Sequence, residues 1–272
     1  MNAPAHIPPA QDAAAAVTPA LRFVQEPVHP NDEGNILLLL REQGFANLQN
    51  VFEPDSVDAY RAQLEAAIRP KDAWYCPFVL PDDSPLAIEP SRAPRLRQLL
   101  RRVFSPITPG ANVALYHPAW LVRPHDPDPA IVHDWHKDGD HLVLACRDGH
   151  YDYPPNITAV MYFTDMTPAH GPTYVIPRSH RDPRLSPYAG TPEQPFLPRK
   201  GDVMLWDQRT WHRGSARTIP GMRIAAIFLF HPLPIANDSV PTMTPAQRRA
   251  LAEATDPIDQ LMYGGLWGTQ RA

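Results

Sequence analysis

Between residues 111 and 232 the chain falls into short β-branched or aromatic runs. They are NVALYHPAWLVR (112–123), ITAVMYFTD (157–165), PTYVIP (172–177), DVMLWD (202–207) and RIAAIFLFHP (223–232). Proline and glycine punctuate them, and proline is abundant, with 35 against 13 glycines. Each proline fixes φ and removes a backbone donor, so regular elements stop where it stands. Short strands with turn signals between them, and no helical pattern alternating with them, predict a sandwich or barrel. A parallel sheet with crossover helices is excluded on the same ground.

Helical periodicity lies on either side of this region. NDEGNILLLLREQG (31–44) opens with acidic residues and ends at Gly44, as a helix does. EPDSVDAYRAQLEAAI (53–68) sets Val57, Tyr60, Leu64 and Ile68 on one stripe, and PRLRQLLRRVF (94–104) does so with Leu96, Leu99, Leu100 and Val103. TPAQRRALAEA (244–254) carries a capping-box arrangement in Thr244, Pro245 and Gln247. Residues 1–20, rich in Pro and Ala, predict a disordered tail ahead of one domain over 21–272. Within it the helical part spans about 31–104, the β core about 111–232 and the last helix about 244–254. The fold class is therefore mainly β with flanking α-helices.

A chain of 272 residues, 43% hydrophobic, with a net charge of −4, has ample core and no basic surplus for nucleic acid or an anionic membrane. No apolar run is long enough to span a bilayer, and the N-terminus lacks the basic start and apolar centre of a signal peptide. Two cysteines, Cys76 and Cys146, read as free thiols in a reducing cytoplasm.

The titratable residues are not spread evenly. HDWHKDGDH (133–141) holds three histidines and three aspartates, and its His136 and Asp138, two apart on an extended segment, face one side. Two histidines with one carboxylate on one face of an octahedron make the ligand set of non-haem Fe(II) oxygenases, with three positions open. The His-x-Asp pair alone decides nothing, since a chain of this composition contains about one by chance. This one has three: His136/Asp138, His150/Asp152 and His180/Asp182. His212, 76 residues after His136 on a separate predicted strand, supplies a distant third ligand, and Arg223 opens a very apolar strand eleven residues later. A buried guanidinium needs a partner, and a dicarboxylate supplies one through a two-pronged pair.

Taken in order, Trp135-His136-Lys137-Asp138, GPTYVIPRSH (171–180), GDVMLWDQRTWHRGS (201–215) and GMR (221–223) resemble the phytanoyl-CoA dioxygenase family of Fe(II)/2-oxoglutarate oxygenases. The resemblance covers about 111–232. It implies a double-stranded β-helix (jelly-roll, cupin-like) core, Fe(II) held by His136, Asp138 and His212, and 2-oxoglutarate anchored by Arg223. O2 is the other substrate, and the implied activity is C–H oxidation of a small molecule, hydroxylation first, with release of succinate and CO2; desaturation, ring formation and endoperoxide formation stay open. An acid at 138 implies hydroxylation rather than halogenation.

The chain departs from the family pattern at three places. Gly214 stands where a small hydroxyl residue assists the anchored carboxylate; either Ser215, one further on, substitutes for it on a bulged strand or the helper is absent. Arg178 replaces a glycine in Pro177-Arg178-Ser179-His180, and His170 replaces an Asn or Glu.

Tyr116 and Asn112, on the strand before the cluster, are weaker candidates for the cosubstrate. Trp135 is expected to pack and Lys137 to point away from the metal. His133, Asp134, Asp140 and His141 are read as loop groups or as orienting a ligand imidazole. His150 and Asp152 are read as loop residues, and Arg178 and His180 as candidates for the substrate entrance. Two other readings stay open: a cupin-like metal enzyme without 2-oxoglutarate, against which Arg223 speaks, and a non-catalytic small-molecule-binding jelly roll, against which the triad speaks.

Overall fold

The computed structural model describes residues 21–24, 30–67, 86, 88–105, 113–123, 134–138, 154, 156–232 and 245–264. The tail 1–20, both cysteines, Asn112, His133, Asp140, His141, His150, Asp152 and Thr244 lie outside the described residues. The elements in chain order are α1 (Pro30–Gln43), β1 (Phe45–Leu48), α2 (Pro54–Ala67), a 3-10 turn (Glu89–Arg92), α3 (Pro94–Phe104), β2 (Val113–Arg123) and β3 (Ile157–Tyr162). Then come β4 (Tyr174–Val175), β5 (Gln194–Pro195), β6 (Val203–Asp207), β7 (His212–Arg213), β8 (Arg223–Pro232), α4 (Pro245–Glu253) and α5 (Pro257–Gly264).

The strands form two antiparallel sheets, one ordered β1-β6-β3-β8-β2 and the other β5-β4-β7. The larger sheet has helices on one face and the smaller sheet's residues on the other. Ile157, Ala159 and Met161 of β3 join Leu205 of β6, Phe228 of β8 and the apolar stripes of α1, α2 and α3. Their neighbours Val160 and Tyr162 turn the other way, toward Val175, Phe196, Met204, Trp206 and Ala225. Covered on both faces, β3 is buried at all six positions, which is why its sequence reads as almost continuously apolar. No helix among the described residues is long and apolar enough to cross a membrane.

Predicted and observed elements differ where local chemistry overrides the apolar pattern. PTYVIP shrinks to Tyr174–Val175 because a turn at Pro177–Arg181 follows, and ITAVMYFTD ends at Tyr162. β1 and α5 have no counterpart in the predicted elements. β1 is held by Asp202, whose carboxylate accepts from Asn47 Nδ2 at 2.9 Å and from the Asn50 N–H at 2.9 Å.

The turn at 177–181 explains one departure from the family pattern. Arg178 has φ +68°, the left-handed region that a glycine enters freely and a side chain does not. Its N–H donates to the Gln43 carbonyl at 2.8 Å, and His180, buried, donates Nε2–H to the Arg41 carbonyl at 2.9 Å. The turn thus closes the carbonyl end of α1. Gly44, at φ +87°, sits beneath it, where a Cβ would meet His180 Nδ1 at 2.5 Å and Thr210 Oγ1 at 2.6 Å. His180 and the backbone of Arg178 are therefore engaged in structure.

Glycine at 178 relieves about 1–2 kcal/mol of left-handed strain, offset by about 0.5–1 kcal/mol of extra glycine entropy. Arg178→Gly is therefore expected to stabilise by about 0.5–1 kcal/mol and raise Tm by about 1–4 °C. Arg178→Ala, which keeps the strain, gives no such rise in a thermal melt.

Candidate metal centre

His136 and His212 meet as a two-residue antiparallel bridge in which each backbone N–H donates to the other's carbonyl at 3.0 Å. Such a pair presents both side chains on one face, and the imidazole centroids stand 4.2 Å apart. Asp138 arrives on the same side because its N–H donates to the Gln208 carbonyl at 3.1 Å. One ligand atom from each of the three lies within 4.8 Å of the other two. His136 is half exposed, Asp138 partly covered and His212 buried, so the group opens to solvent on the His136 side.

The ring orientations are set by backbone carbonyls. His136 Nδ1 bonds to the Asp134 carbonyl at 3.0 Å and His212 Nδ1 to the Thr210 carbonyl at 3.0 Å. A carbonyl only accepts, so both Nδ1 atoms carry the hydrogen and both Nε2 atoms present a lone pair when the rings are neutral. Those Nε2 atoms face Asp138 Oδ1, at 3.8 Å from His136 and 3.4 Å from His212. The other carboxylate oxygen is held apart, since Thr158 Oγ1 donates to Asp138 Oδ2 at 3.1 Å.

Behind Thr158 runs a buried chain: Gln208 Nε2 donates to Thr158 Oγ1 at 3.2 Å, and Asn156 Nδ2 to Gln208 Oε1 at 3.2 Å. The turn between Asp207 and His212 is fixed by Arg209, whose guanidinium grips the Asp207 carboxylate, with 2.6 Å from Nη2 to Oδ2, both side chains buried. Asn156, Thr158 and Gln208 escaped sequence reasoning. The available signal was a lone threonine at the second position of an otherwise apolar strand.

The neighbours of the ligand candidates behave as expected. Lys137 turns from the cluster and donates to the Ser179 carbonyl at 3.2 Å, with its ammonium 5.2 Å from the Trp211 ring. Trp135 packs against the Arg213 guanidinium, 5.2 Å from its ring centroid. The third His-x-Asp pair has other duties: His180 caps α1, and Asp182 pairs with Arg184 at 2.9 Å.

Arg223, the first residue of β8, is buried, with its side chain on the face that carries Ala225. Its Nη1 donates to the Gly171 carbonyl, and its guanidinium lies 5.9 Å from the Tyr162 ring centroid. Gly171 has φ +72° and stands so close to the chain beside it that a Cβ would meet the Ser215 carbonyl at 2.8 Å. Ser215 Oγ donates to the Pro172 carbonyl at 2.6 Å. His170 caps the short 3-10 turn Pro168–His170 through Nδ1, 2.8 Å from Thr167 Oγ1. Tyr116 lies in β2 where the register with β8 shifts between Leu115 and His117.

An antiparallel jelly roll carrying two imidazoles and a carboxylate at its open end defines a class, the non-haem Fe/2-oxoglutarate-dependent oxygenase superfamily. Within it the chain belongs to the phytanoyl-CoA dioxygenase (PhyH) family, which it matches over residues 40–225, from the last turn of α1 into β8. No curated protein matches it. Among solved structures it is similar to SnoN, a non-haem α-ketoglutarate-dependent epimerase from nogalamycin biosynthesis. The identity is 17% and the TM-score 0.57, over 75% of this chain and 85% of that one. It is also similar to HygX from Streptomyces hygroscopicus, solved with nickel, 2-oxoglutarate and hygromycin B, at 22% identity and TM-score 0.55 over 73% of this chain and 86% of that one. SnoK, a carbocyclase from nogalamycin biosynthesis, shares 20% identity at TM-score 0.51, over 73% of this chain and 83% of that one.

Burial alone pushes Asp138 up, but His212 beside it, then His136 and the Thr158 hydroxyl, bring its carboxyl down to about 2. Burial likewise pulls His212 down, and the Asp138 carboxylate with the Thr210 carbonyl outweighs it, leaving the imidazole above its ordinary value. A depressed acid stabilises the fold above its unfolded pKa of about 4, and a raised histidine does so below about 6.5. With a chelator present, the Tm difference between wild type and Asp138→Asn is therefore expected to be greatest from about pH 4 to 6.5. It shrinks as pH rises through the raised His212 value and as it falls toward 2. By NMR, His212 titrates above about 6.5 in wild type and below that in Asp138→Asn.

Proposed function

We propose that this chain is an Fe(II)- and 2-oxoglutarate-dependent oxygenase, its single domain running over about 21–272. It oxidises, by hydroxylation, an unactivated C–H bond of a small molecule and releases succinate and CO2. One observation carries the reading: His136 Nε2, His212 Nε2 and one oxygen of Asp138 converge while their other polar atoms are held by Asp134, Thr210 and Thr158. Two neutral imidazoles and a monodentate carboxylate on one side suit ferrous iron with open positions opposite. When bound, iron with 2-oxoglutarate and O2 supplies the oxidising power, coupling decarboxylation of the 2-oxo acid to cleavage of the substrate C–H bond.

The chain's own residues position and shield. His136, Asp138 and His212 hold the metal, and Asp138 occupies the place a halide would need. Arg223 anchors the far carboxylate of 2-oxoglutarate from the buried end of β8. Val160, Met204 and Trp206 line the inner face of the large sheet beside His212, with the Trp206 ring 5.1 Å from the imidazole, and exclude water. Substrate reaches the site on the exposed His136 side. HygX was solved with hygromycin B and SnoN with nogalamycin RO. Their structural likeness to this chain supports a substrate from specialised metabolism.

Anaerobic addition of Fe(II) and 2-oxoglutarate is expected to produce the weak visible charge-transfer band of the chelate. His212→Ala abolishes iron binding and the band with it. Arg223→Leu keeps iron but weakens 2-oxoglutarate by about tenfold or more, the worth of a charged hydrogen-bonded pair. Iron bound by wild type without a band and without succinate formation would favour a cupin-like enzyme instead. No tight metal at all would favour the non-catalytic binder.

A further inference from the structure

Each histidine of the metal group stands between a cation and an aromatic residue in sequence. Side chains alternate sides along an extended segment, so Trp135 and Lys137 face away from His136, and Trp211 and Arg213 face away from His212. The antiparallel bridge between the histidines sets Trp135 opposite Arg213 and Lys137 opposite Trp211. The Arg213 guanidinium lies 5.2 Å from the Trp135 ring centroid, and the Lys137 ammonium 5.2 Å from that of Trp211. The two pairs are reciprocal: the segment carrying His136 gives the ring in one and the cation in the other.

Both pairs are tied back to the sandwich. The Arg213 guanidinium lies 4.5 Å from the ring of Tyr174, its register partner on β4. Its fork grips Glu193, with 3.0 Å from Nε to Oε2 and 2.6 Å from Nη2 to Oε1. A planar guanidinium stacks on rings while keeping such a fork, which an ammonium does not. Lys137 donates to the Ser179 carbonyl at 3.2 Å, and the Trp211 N–H donates to Ser179 Oγ at 2.9 Å. The His136 segment itself meets β7 through an isolated bridge rather than a ladder. So short a pairing is weak alone, and facing side chains supply much of what holds it.

We propose that Trp135–Arg213 and Lys137–Trp211 are positioning pairs for the metal. From the outer face of the small sheet they press the His136 segment onto β7 and fix the spacing of the two imidazoles. The assignment rests on the metal reading above and adds residues that touch neither iron nor cosubstrate. A ferrous ion is held tightly only where its ligands are already in place, so slack in the bridge shows as lost metal affinity. Tyr174 holds Arg213 from β4, the side away from the His136 segment, and serves the fold rather than the metal.

The test is an anaerobic titration of the full chain with Fe(II) in competition with a chromogenic chelator, alongside a metal-free melt of each variant. Trp135→Leu and Arg213→Met are each expected to weaken Fe(II) by about threefold to tenfold. The double variant stays within about twofold of the weaker single, because both changes remove one contact. Trp135→Phe keeps a ring and stays within about twofold of wild type. Tyr174→Leu lowers Tm as Trp135→Leu does, yet leaves Fe(II) affinity within about twofold of wild type. Should Trp135→Leu not fold, Lys137→Met carries the comparison through the other pair, with the same loss expected. Unchanged affinity in the single variants, affinity that follows Tm in every variant, or losses that multiply in the double overturns the assignment and leaves the metal reading in place. A wild-type protein that holds no Fe(II) against the chelator overturns both.

Discussion

Two backbone hydrogen bonds, from His136 to His212 and back, hold the site together. They join residues 76 apart in sequence, so making them carries the entropy of closing a long loop. The jelly roll meets that cost. β3, β6 and β8 fix the large sheet, and β4 with β7 places His212 at the edge of the small one. Once the bridge is made, the two imidazoles need no further device to share a face. What remains is to aim their nitrogens, which the carbonyls of Asp134 and Thr210 do.

The same economy governs the third ligand. A carboxylate near two imidazoles has several ways to turn, and Thr158 removes most of them by holding Oδ2. Thr158 is itself held by Gln208, and Gln208 by Asn156, at one end of the large sheet. Such a chain stiffens the carboxylate through linked hydrogen bonds. The buried Asp207–Arg209 pair braces the turn that carries Gln208 and leads on to His212. Polar order is thus concentrated at one end of the sandwich, and the apolar cluster of Val160, Met204 and Trp206 walls it from the rest.

The sequence made the strands legible where burial was uniform. β8 runs from Arg223 to Pro232 as its apolar run implied, because both faces are covered and proline stops it. FANL was too short and too ordinary to separate from the helix before it, and PIDQLMYG spans only two turns. Among three His-x-Asp pairs the sequence offered no local way to choose. Packing separates two of them, with His180 capping α1 and Asp182 tied to Arg184. Arg178 looked like a change at the substrate mouth, and its φ of +68° shows a glycine position occupied by a strained side chain. Thr158 was not legible, since a hydroxyl within an apolar strand has no pattern until its distant partner is known.

The central claim is that His136, Asp138 and His212 grip one ferrous ion and leave the opposite side of its coordination sphere open. The most direct measurement is an anomalous difference map at the iron edge from crystals grown anaerobically with Fe(II). The account predicts a single peak within bonding distance of both Nε2 atoms and of one Asp138 oxygen, with Thr158 still on the other oxygen. Iron bound elsewhere, or an Asp138 carboxylate turned away from a metal held by the histidines alone, would contradict it.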